Sequence, residues 1–461
     1  MNVLKDSNMH VINFLGGFQR RYKYENYRWN KYIITTNVED ESIVYNGLTG
    51  AVVTLRSFEY DNVFTELPCD YSHFLFDNYF LVPENFDETQ IVKDFRERSE
   101  TYINPNYLKV PTHFTILSTT KCNARCAYCY ENPMQDKHDM TKETAHDIVK
   151  YIIDHANRNS SLSFEWFGGE PLTNPEVIDI ITSGVRAAGF EFSSKIVSNG
   201  YLLDSKMVHR AATLWAVRDA QITLDGYGEQ YNKVKRYIYP DDPNPFERVI
   251  SNIHNLLEHN VVVTIRLNCG PHNYKNLLEL IDYLAVEFKD EPNLFVYAWE
   301  IFSETKRSEE KAEVFFDCLD RVDAAICASG LNTPNYLEDG IKVRHCMVDS
   351  GNGTVINMDG NLCLCEHYLD NDFYGDIHHH GKFNMDVIKN WRNYVNTYEG
   401  MCCDCPNQAG CLKMTRCTDQ FICTKAEQKY TLNKIKRRME LWYNNTINSN
   451  MCDDMICCNQ N

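Results

Sequence analysis

The stretch Cys122-Asn123-Ala124-Arg125-Cys126-Ala127-Tyr128-Cys129 puts three thiols into eight residues, at C-x3-C-x2-C spacing. It comes just after His113 to Leu117, a short apolar run that reads as a strand. A loop leaving the carboxyl end of a strand is where α/β barrels keep their chemistry. Three thiolates can hold three irons of a [4Fe–4S] cube and leave the fourth iron open to a ligand. Zinc is the alternative, but it wants four ligands and this loop offers no obvious fourth.

Working outward, further strand candidates follow at Leu162 to Phe167, Lys195 to Ser198, Gln221 to Leu224, Val261 to Leu267 and Leu294 to Trp299. Helical patterns lie between them. In Lys142 to His155 the apolar residues Ala145, Ile148, Val149, Ile152 and Ile153 form the stripe of a packed helix. Val177 to Val185, Ser205 to Leu214, Phe246 to Leu257 and Tyr274 to Phe288 supply the other crossovers. Six strand-then-helix units imply parallel strands, so residues 109–305 are expected to form an α/β fold, a partial (β/α)6 TIM-like barrel. Its chemistry belongs on the loops after the strands.

The rest of the chain divides around that core. Residues 1–108 are aromatic-rich, with strand signals at Tyr32 to Thr36, Ser42 to Tyr45 and Ala51 to Leu55 and a helix at Asp87 to Arg98. They read as a small α+β, winged-helix-like domain. Residues 306–340 read as a helical connector (Ser308 to Ala328), 341–425 as a Cys-rich domain that depends on metal for its fold, and 426–461 as a helix (Lys429 to Tyr443) and polar tail. The length of 461 residues suits about three domains.

Lys and Arg number 46 against 64 Asp and Glu, a net charge of −18, which argues against a nucleic-acid partner. No run of about 18 apolar residues occurs, so no membrane span is expected. The first twenty residues do not read as a secretory signal, and a cytoplasmic location is expected. Nineteen cysteines in such a chain point to metal ligation rather than disulfides. Three lie at 122, 126 and 129 and nine between 346 and 423, whereas Cys69, Cys269, Cys318 and Cys327 are scattered and read as buried small hydrophobes.

Cys122, Cys126, Tyr128 and Cys129 resemble the signature of the radical S-adenosylmethionine (SAM) enzymes. The resemblance implies that the open iron chelates the amino and carboxylate groups of SAM, and that one electron cleaves SAM to a 5′-deoxyadenosyl radical. Gly168-Gly169-Glu170, in Trp166 to Pro171 after the second strand, matches the family's GGE motif, which implies a SAM-binding role for these three residues. Ser198 and Thr223, at the ends of strands three and four, are the implied polar contacts to SAM. Arg236 would pair with its carboxylate, with Lys235 fitting nearly as well, and Arg266 and Asn268 face the same mouth.

Cys346, Gly360 and Cys365, then Cys402, Cys405, Cys411, Cys417 and Cys423, resemble the SPASM domain of radical SAM enzymes that modify peptides and proteins. The resemblance implies two auxiliary [4Fe–4S] clusters held by these seven cysteines, with Cys363 or Cys403 as an eighth ligand or one iron left open. Here Cys411 to Cys417 to Cys423 runs C-x5-C-x5-C, where the family has C-x3-C after its C-x5-C element. Paired zinc knuckles are the competing reading. Glu366 stands where sulfatase maturases carry an Asp base, so it is the catalytic candidate; as a solvated loop carboxylate it would have no such role. His378-His379-His380 reads as an exposed turn, and Cys452, Cys457 and Cys458 as tail thiols.

The combined expectation is a radical SAM/SPASM maturase acting on a ribosomally made precursor peptide, with residues 1–108 binding the peptide's leader and a flavodoxin or ferredoxin as reductant. Tyr32, Tyr45 and Phe58 could contribute to leader binding or be core. The rivals are a sulfatase-type maturase forming formylglycine and a non-catalytic iron–sulfur electron carrier.

Overall fold

Residues 1–19, 26–63, 72–101, 110–126, 128–129, 137–239, 241–301, 307–334, 337–342, 352–366, 373–379, 382–392, 400–411 and 423–458 are described by the structure, a computed structural model. They fall into two compact units. One comprises Met1–Asn104, Asn335–His345 and Tyr394–Asn461; the other comprises Pro105–Pro334 and Cys346–Asn393.

The first unit is built on antiparallel strands: β1 (Asn2–Lys5), β2 (Tyr27–Trp29), β3 (Ile33–Val38), β4 (Glu41–Asn46), β5 (Val52–Arg56) and β6 (Leu81–Pro83). Four of them form a sheet in the order β1-β5-β4-β3, and β2 pairs with β6. A turn through Glu39 and Asp40 joins β3 to β4 as a hairpin, with Glu39 at φ 51. Helices Met9–Gln19 and Glu88–Thr101 contribute Val11, Leu15, Ile91 and Val92 to a core that also holds Tyr32, Leu48 and Ala409. Helix Lys425–Cys458 lays Met439, Leu432 and Ile435 against Ile34, Ile43 and Tyr45. It starts earlier and runs further than Lys429 to Tyr443, taking in the positions of Cys452, Cys457 and Cys458. Tyr32 and Tyr45 are core residues, and Phe58 is exposed.

The second unit is the expected open barrel. β7 (His113–Leu117), β8 (Leu162–Phe167), β9 (Phe192–Ser198), β10 (Val217–Thr223), β11 (Val262–Cys269) and β12 (Leu294–Glu300) run parallel, each beside its neighbour in sequence. Helices Lys142–His155, Pro175–Ala187, Ser205–Thr213, Pro245–Glu258 and Tyr274–Glu287 are the crossovers. Side chains of the first and third start where the cap chemistry says they should: Thr141 accepts from Thr144 N, and Asp204 from Lys206 N and Met207 N. Along each strand one set of alternate residues is fully buried, as with Phe164, Trp166, Ile196, Ile222, Ile265 and Val296. Glu165, Lys195, Gln221, Arg266 and Tyr297, at intervening positions, are half-buried.

Part of the Cys-rich stretch joins this sheet. β13 (Gly353–Ile356) pairs parallel with the outer edge of β7, and β14 (Asn361–Cys363) and β15 (Gly375–Asp376) continue antiparallel. The turn between β13 and β14 is held by Asn357, whose Oδ1 accepts from Asp359 N and Asn361 N. Gly360 completes it at φ 83, where a Cβ would lie 2.6 Å from Ile377. His378 and His379 are exposed in the following turn, with Asp147 and Asp376 as their respective partners. Among the described residues no helix is long and apolar enough to cross a membrane.

Candidate functional site

The loop that leaves β7 is gripped from two sides. On the first side lies the turn after β8. Gly169 N donates to Thr119 O at 3.0 Å and Glu170 N to Lys121 O at 2.9 Å. A Cβ on Gly168, whose φ is 131, would stand 2.2 Å from Thr119 O, and one on Gly169 would stand 2.4 Å from Lys121 O. Both positions need glycine because two backbones run in contact there. The sequence led us to expect this close approach toward a ligand; the observed partner is the backbone leading into Cys122.

Glu170 is fully buried beneath that turn. Its Oε1 accepts from Leu172 N (3.2 Å) and from the Ser198 hydroxyl (2.9 Å), and its Oε2 from Asn199 N (2.9 Å). Burial raises its pKa to about 7 despite these bonds and the attraction of Lys235. Ser198 therefore spends its proton on Glu170, and its oxygen accepts from Gly200 N at 3.0 Å.

On the second side stand the end of β10 and the helix Glu229–Lys235. Asp225 and Lys235 form a buried ion pair, Nζ to Oδ2 2.6 Å. Lys235 also donates to Thr223 Oγ1 at 2.7 Å. Asp225 accepts from the Tyr128 hydroxyl and from Asn268 Nδ2 (2.8 Å), and its carbonyl accepts from Asn273 Nδ2 (3.1 Å). The backbone carbonyl of Lys235 accepts from Arg125 N (2.8 Å) and lies 3.8 Å from Cys126 Sγ. Burial by itself would lower the Lys235 pKa; Asp225, Tyr128 and Cys126 outweigh it, and the pKa is raised. Arg236 takes a left-handed conformation at φ 47, and its Nε donates to Arg125 O at 2.7 Å. Thr223 and Arg236, read from the sequence as SAM contacts, thus bond to the apparatus around the cysteine loop.

The sequence did not single out Asp225 and offered Lys235 only as an alternative to Arg236. Ten residues separate them, and nothing in the local pattern couples them. Asn123 and Asn199 were missed as well: Asn199 Nδ2 donates to Asn123 Oδ1 at 2.7 Å and lies 3.9 Å from Cys122 Sγ.

Cys122, Cys126 and Cys129 are all half-buried on this loop. Burial, with Glu170 and the other two thiols adding to it, pushes the Cys122 thiol up to about 12, and burial also raises Cys126. Bare thiolates are costly here, and bound cationic iron would offset that cost. Asn123 Nδ2 is buried with no hydrogen-bond partner among the described residues, which leaves a donor for an anionic ligand at the loop. No three His, Cys, Asp or Glu side chains among the described residues close on a single metal ion. Three neighbouring thiols and an unused donor fit an iron–sulfur cluster, which spreads its ligands over a cube.

The remaining candidates lie elsewhere. Cys363 is buried in β14, and Cys365 Sγ lies 3.7 Å from Glu366 Oε2. Cys363 is level with Val355, which is level with Thr115, and the chain then runs toward the start of β7. Glu366 accordingly acts on His113: burial lowers the His113 pKa, and Glu165 and Glu366 oppose this. Glu366 is thus near the opposite end of β7 from the cysteine loop. Cys402, Cys405, Cys411 and Cys423 are half-buried in the first unit and Cys403 is exposed. Cys346, Cys417, Cys69 and His380 lie outside the described residues. Cys269 and Cys318 are buried, and Cys327 is half-buried.

Residues 116–284, from the last two residues of β7 to the helix after β11, match the radical SAM superfamily. The chain carries a radical SAM domain. An uncharacterized protein of Methanocaldococcus jannaschii is 21% identical over 293 residues, 62% of this chain and 96% of that protein. The radical SAM cyclopropyl synthase TigE of Paramaledivibacter caminithermalis is 31% identical over 107 residues, which cover 20% of this chain and 23% of the synthase. Among solved structures, anSMEcpe with bound AdoMet and Cp18Cys peptide superposes with a TM-score of 0.53 at 15% identity, covering 73% of this chain and 99% of that one. That likeness is one of fold. The radical SAM domain implies SAM and a [4Fe–4S] cluster as cofactors, and the loop of Cys122, Cys126 and Cys129 lies within it.

Proposed function

We propose that the chain is a radical SAM/SPASM peptide maturase that modifies a ribosomally made precursor peptide, forming a thioether or carbon–carbon crosslink. The reading starts from the three-cysteine loop at the carboxyl end of β7, braced by Gly168-Gly169-Glu170 on one side and by Asp225–Lys235 on the other. When bound, the cluster and SAM supply a one-electron route to a 5′-deoxyadenosyl radical.

Cys122, Cys126 and Cys129 would hold that cluster, and Asn123 Nδ2 would donate to an anionic group beside it. Gly168, Gly169, Glu170 and Ser198 fix the wall against which SAM would lie. Thr223, Lys235 and Asp225 hold the loop at the depth where its thiols are shielded from water. Cys346, Cys365, Cys402, Cys405, Cys411, Cys417 and Cys423 would hold two auxiliary [4Fe–4S] clusters, and a cytoplasmic flavodoxin or ferredoxin would deliver electrons. Glu366, read from the sequence as the base, lies beside Cys365 toward the start of β7 and away from the cysteine loop, so this reading gives it no catalytic role.

The observation that favours a peptide substrate is the N-terminal antiparallel sheet. Its outer strands are β1 and β3, and β1 has no strand on its far side among the described residues. An extended leader can add to such an edge through its backbone. Exposed Val3 and Phe58 offer apolar contacts in the same unit. The relative that makes a cyclopropyl group and the fold neighbour that holds a peptide are compatible with this reading.

The test is anaerobic incubation of reconstituted, full-length protein with SAM, dithionite and short Cys-containing peptides encoded beside its gene. Formation of 5′-deoxyadenosine and a peptide lighter by two hydrogens support crosslinking. Loss of the cysteine sulfur in exchange for an aldehyde assigns the chain to formylglycine formation instead. No 5′-deoxyadenosine with any peptide removes the enzymatic reading.

A further inference from the structure

The segment that carries Cys402, Cys405 and Cys411 has no sheet or long helix of its own. It is a chain of tight turns: Cys403 N to Gly400 O, Cys405 N to Cys402 O, Gln408 N to Cys405 O and Cys411 N to Gln408 O, at 3.0–3.4 Å. Such a segment needs something rigid to hold it. Within it, only Gln408, Ala409 and Gly410 are buried, and they stand between Cys405 and Cys411.

What buries them is the N-terminal α+β fold of the same unit. Ala409 is part of the core of Val11, Leu15, Tyr32 and Leu48. The Tyr32 hydroxyl donates to Gln408 Oε1 at 2.6 Å. Arg96, on helix Glu88–Thr101 and 9% exposed, donates from Nη2 to Ala409 O (2.9 Å) and Gln408 O (3.3 Å), and from Nε to Lys342 O (2.9 Å). Lys342 N closes the ring by donating to Ala409 O at 2.9 Å. At the other end of the segment, Lys31 Nζ donates to Cys403 O at 3.3 Å.

A buried guanidinium is tolerated only where its fork of donors is matched, and here carbonyls of two chain segments match it. The bonds fix backbone positions on both sides of one turn, so they set how far Cys405 stands from Cys411. Gln408 Nε2 is buried without a partner among the described residues, a donor suited to a thiolate or sulfide.

We infer that the N-terminal domain is the scaffold of the auxiliary cluster site, with Arg96 and Tyr32 as positioning residues for Cys402, Cys405 and Cys411. The inference rests on the reading of these cysteines as cluster ligands. It gives the domain a second task beside the proposed leader binding: the surface that engages a peptide and the floor beneath a redox centre belong to one packed core.

The experiment uses full-length protein reconstituted with iron and sulfide, and reads iron content, Mössbauer spectra and a potentiometric EPR titration. The cluster at Cys122, Cys126 and Cys129 is the internal reference. Wild type should hold about twelve irons, four for each of three cubes. Arg96→Met should lose about four of them and keep the SAM-cleaving signal. Arg96→Lys should not restore them, because a point charge cannot span three carbonyls. Tyr32→Phe removes a single bond and should keep the fold, while shifting the auxiliary EPR signal and its midpoint potential and leaving the reference signal in place. If Arg96→Met misfolds, Tyr32→Phe decides alone. Wild-type iron content, spectra and potential in both variants overturn the scaffold role and leave the cluster reading standing. About four irons in wild type would instead remove the auxiliary-cluster reading, and this inference with it.

Discussion

Lys235 Nζ lies 2.6 Å from Asp225 Oδ2, in an ion pair whose side chains are 3% and 0% exposed. The pair is bonded to the cysteine loop at both ends, through Tyr128 and through Arg125 N. A buried ion pair is seldom a source of net stability, but removing one partner strands the other charge. The geometry therefore ties the integrity of the cysteine loop to a buried ion pair on other elements of the fold.

Lys235→Met should cost about 3–5 kcal/mol, because Asp225 is left charged and buried. Adding Asp225→Asn should recover part of that loss. Urea unfolding of the metal-free proteins measures both, and a single variant as stable as wild type would show that the pair is not closed.

Gly168→Ala should lower the iron held at the Cys122 loop, since the new Cβ falls 2.2 Å from Thr119 O at φ 131. Gly189→Ala is the comparison: φ is 85 and nothing stands within 4 Å of its Cβ. The second should cost about 1 kcal/mol from backbone conformation alone, the first distinctly more. Thermal melts rank them, and equal losses would mean that the Thr119 contact yields easily.

Glu170 gives a pH dependence with a definite sign. Its carboxyl is raised by burial from 4.5 to about 7 in the folded chain. The folded state therefore binds the proton more tightly than the unfolded one. The resulting stability is full below the unfolded pKa and is lost as pH rises through about 7, a change of about 3 kcal/mol at most. Metal-free Glu170→Gln should lack this component, so its stability should vary less than wild type's between about pH 5 and pH 8. Parallel curves would count against a raised carboxyl.

Cys126→Ala should abolish SAM cleavage and remove about four irons while the proposed auxiliary clusters persist. Production of 5′-deoxyadenosine at the wild-type rate would place the SAM-cleaving cluster elsewhere.

The barrel was legible because its two periods are clean. Lys142–His155 follows its apolar stripe from end to end. β9 and β10 begin three and four residues earlier than their apolar runs, since Phe192-Ser193-Ser194 and Val217-Arg218-Asp219 carry polar residues, of which Ser193, Arg218 and Asp219 are exposed. β13 to β15 escaped notice because strands of two to four residues show no period, and the partner of β13 is far away in the chain. The cysteine loop and Gly168-Gly169-Glu170 could be read from the sequence, but Asp225–Lys235 could not. Its logic is spatial: a strand end and a helix end meet over a loop about a hundred residues earlier.

The pairing of β7 with β13 has a consequence for how the protein is made. Gly353 lies beside His113, so the strand that launches the cysteine loop waits for residues synthesised much later before its outer edge is covered. At ribosomal speed the gap of about 240 residues corresponds to roughly ten to fifty seconds. Through that interval β7 presents an open ladder and the loop beyond it has only its inner neighbours. That window is when an unpaired edge is most exposed to wrong partners.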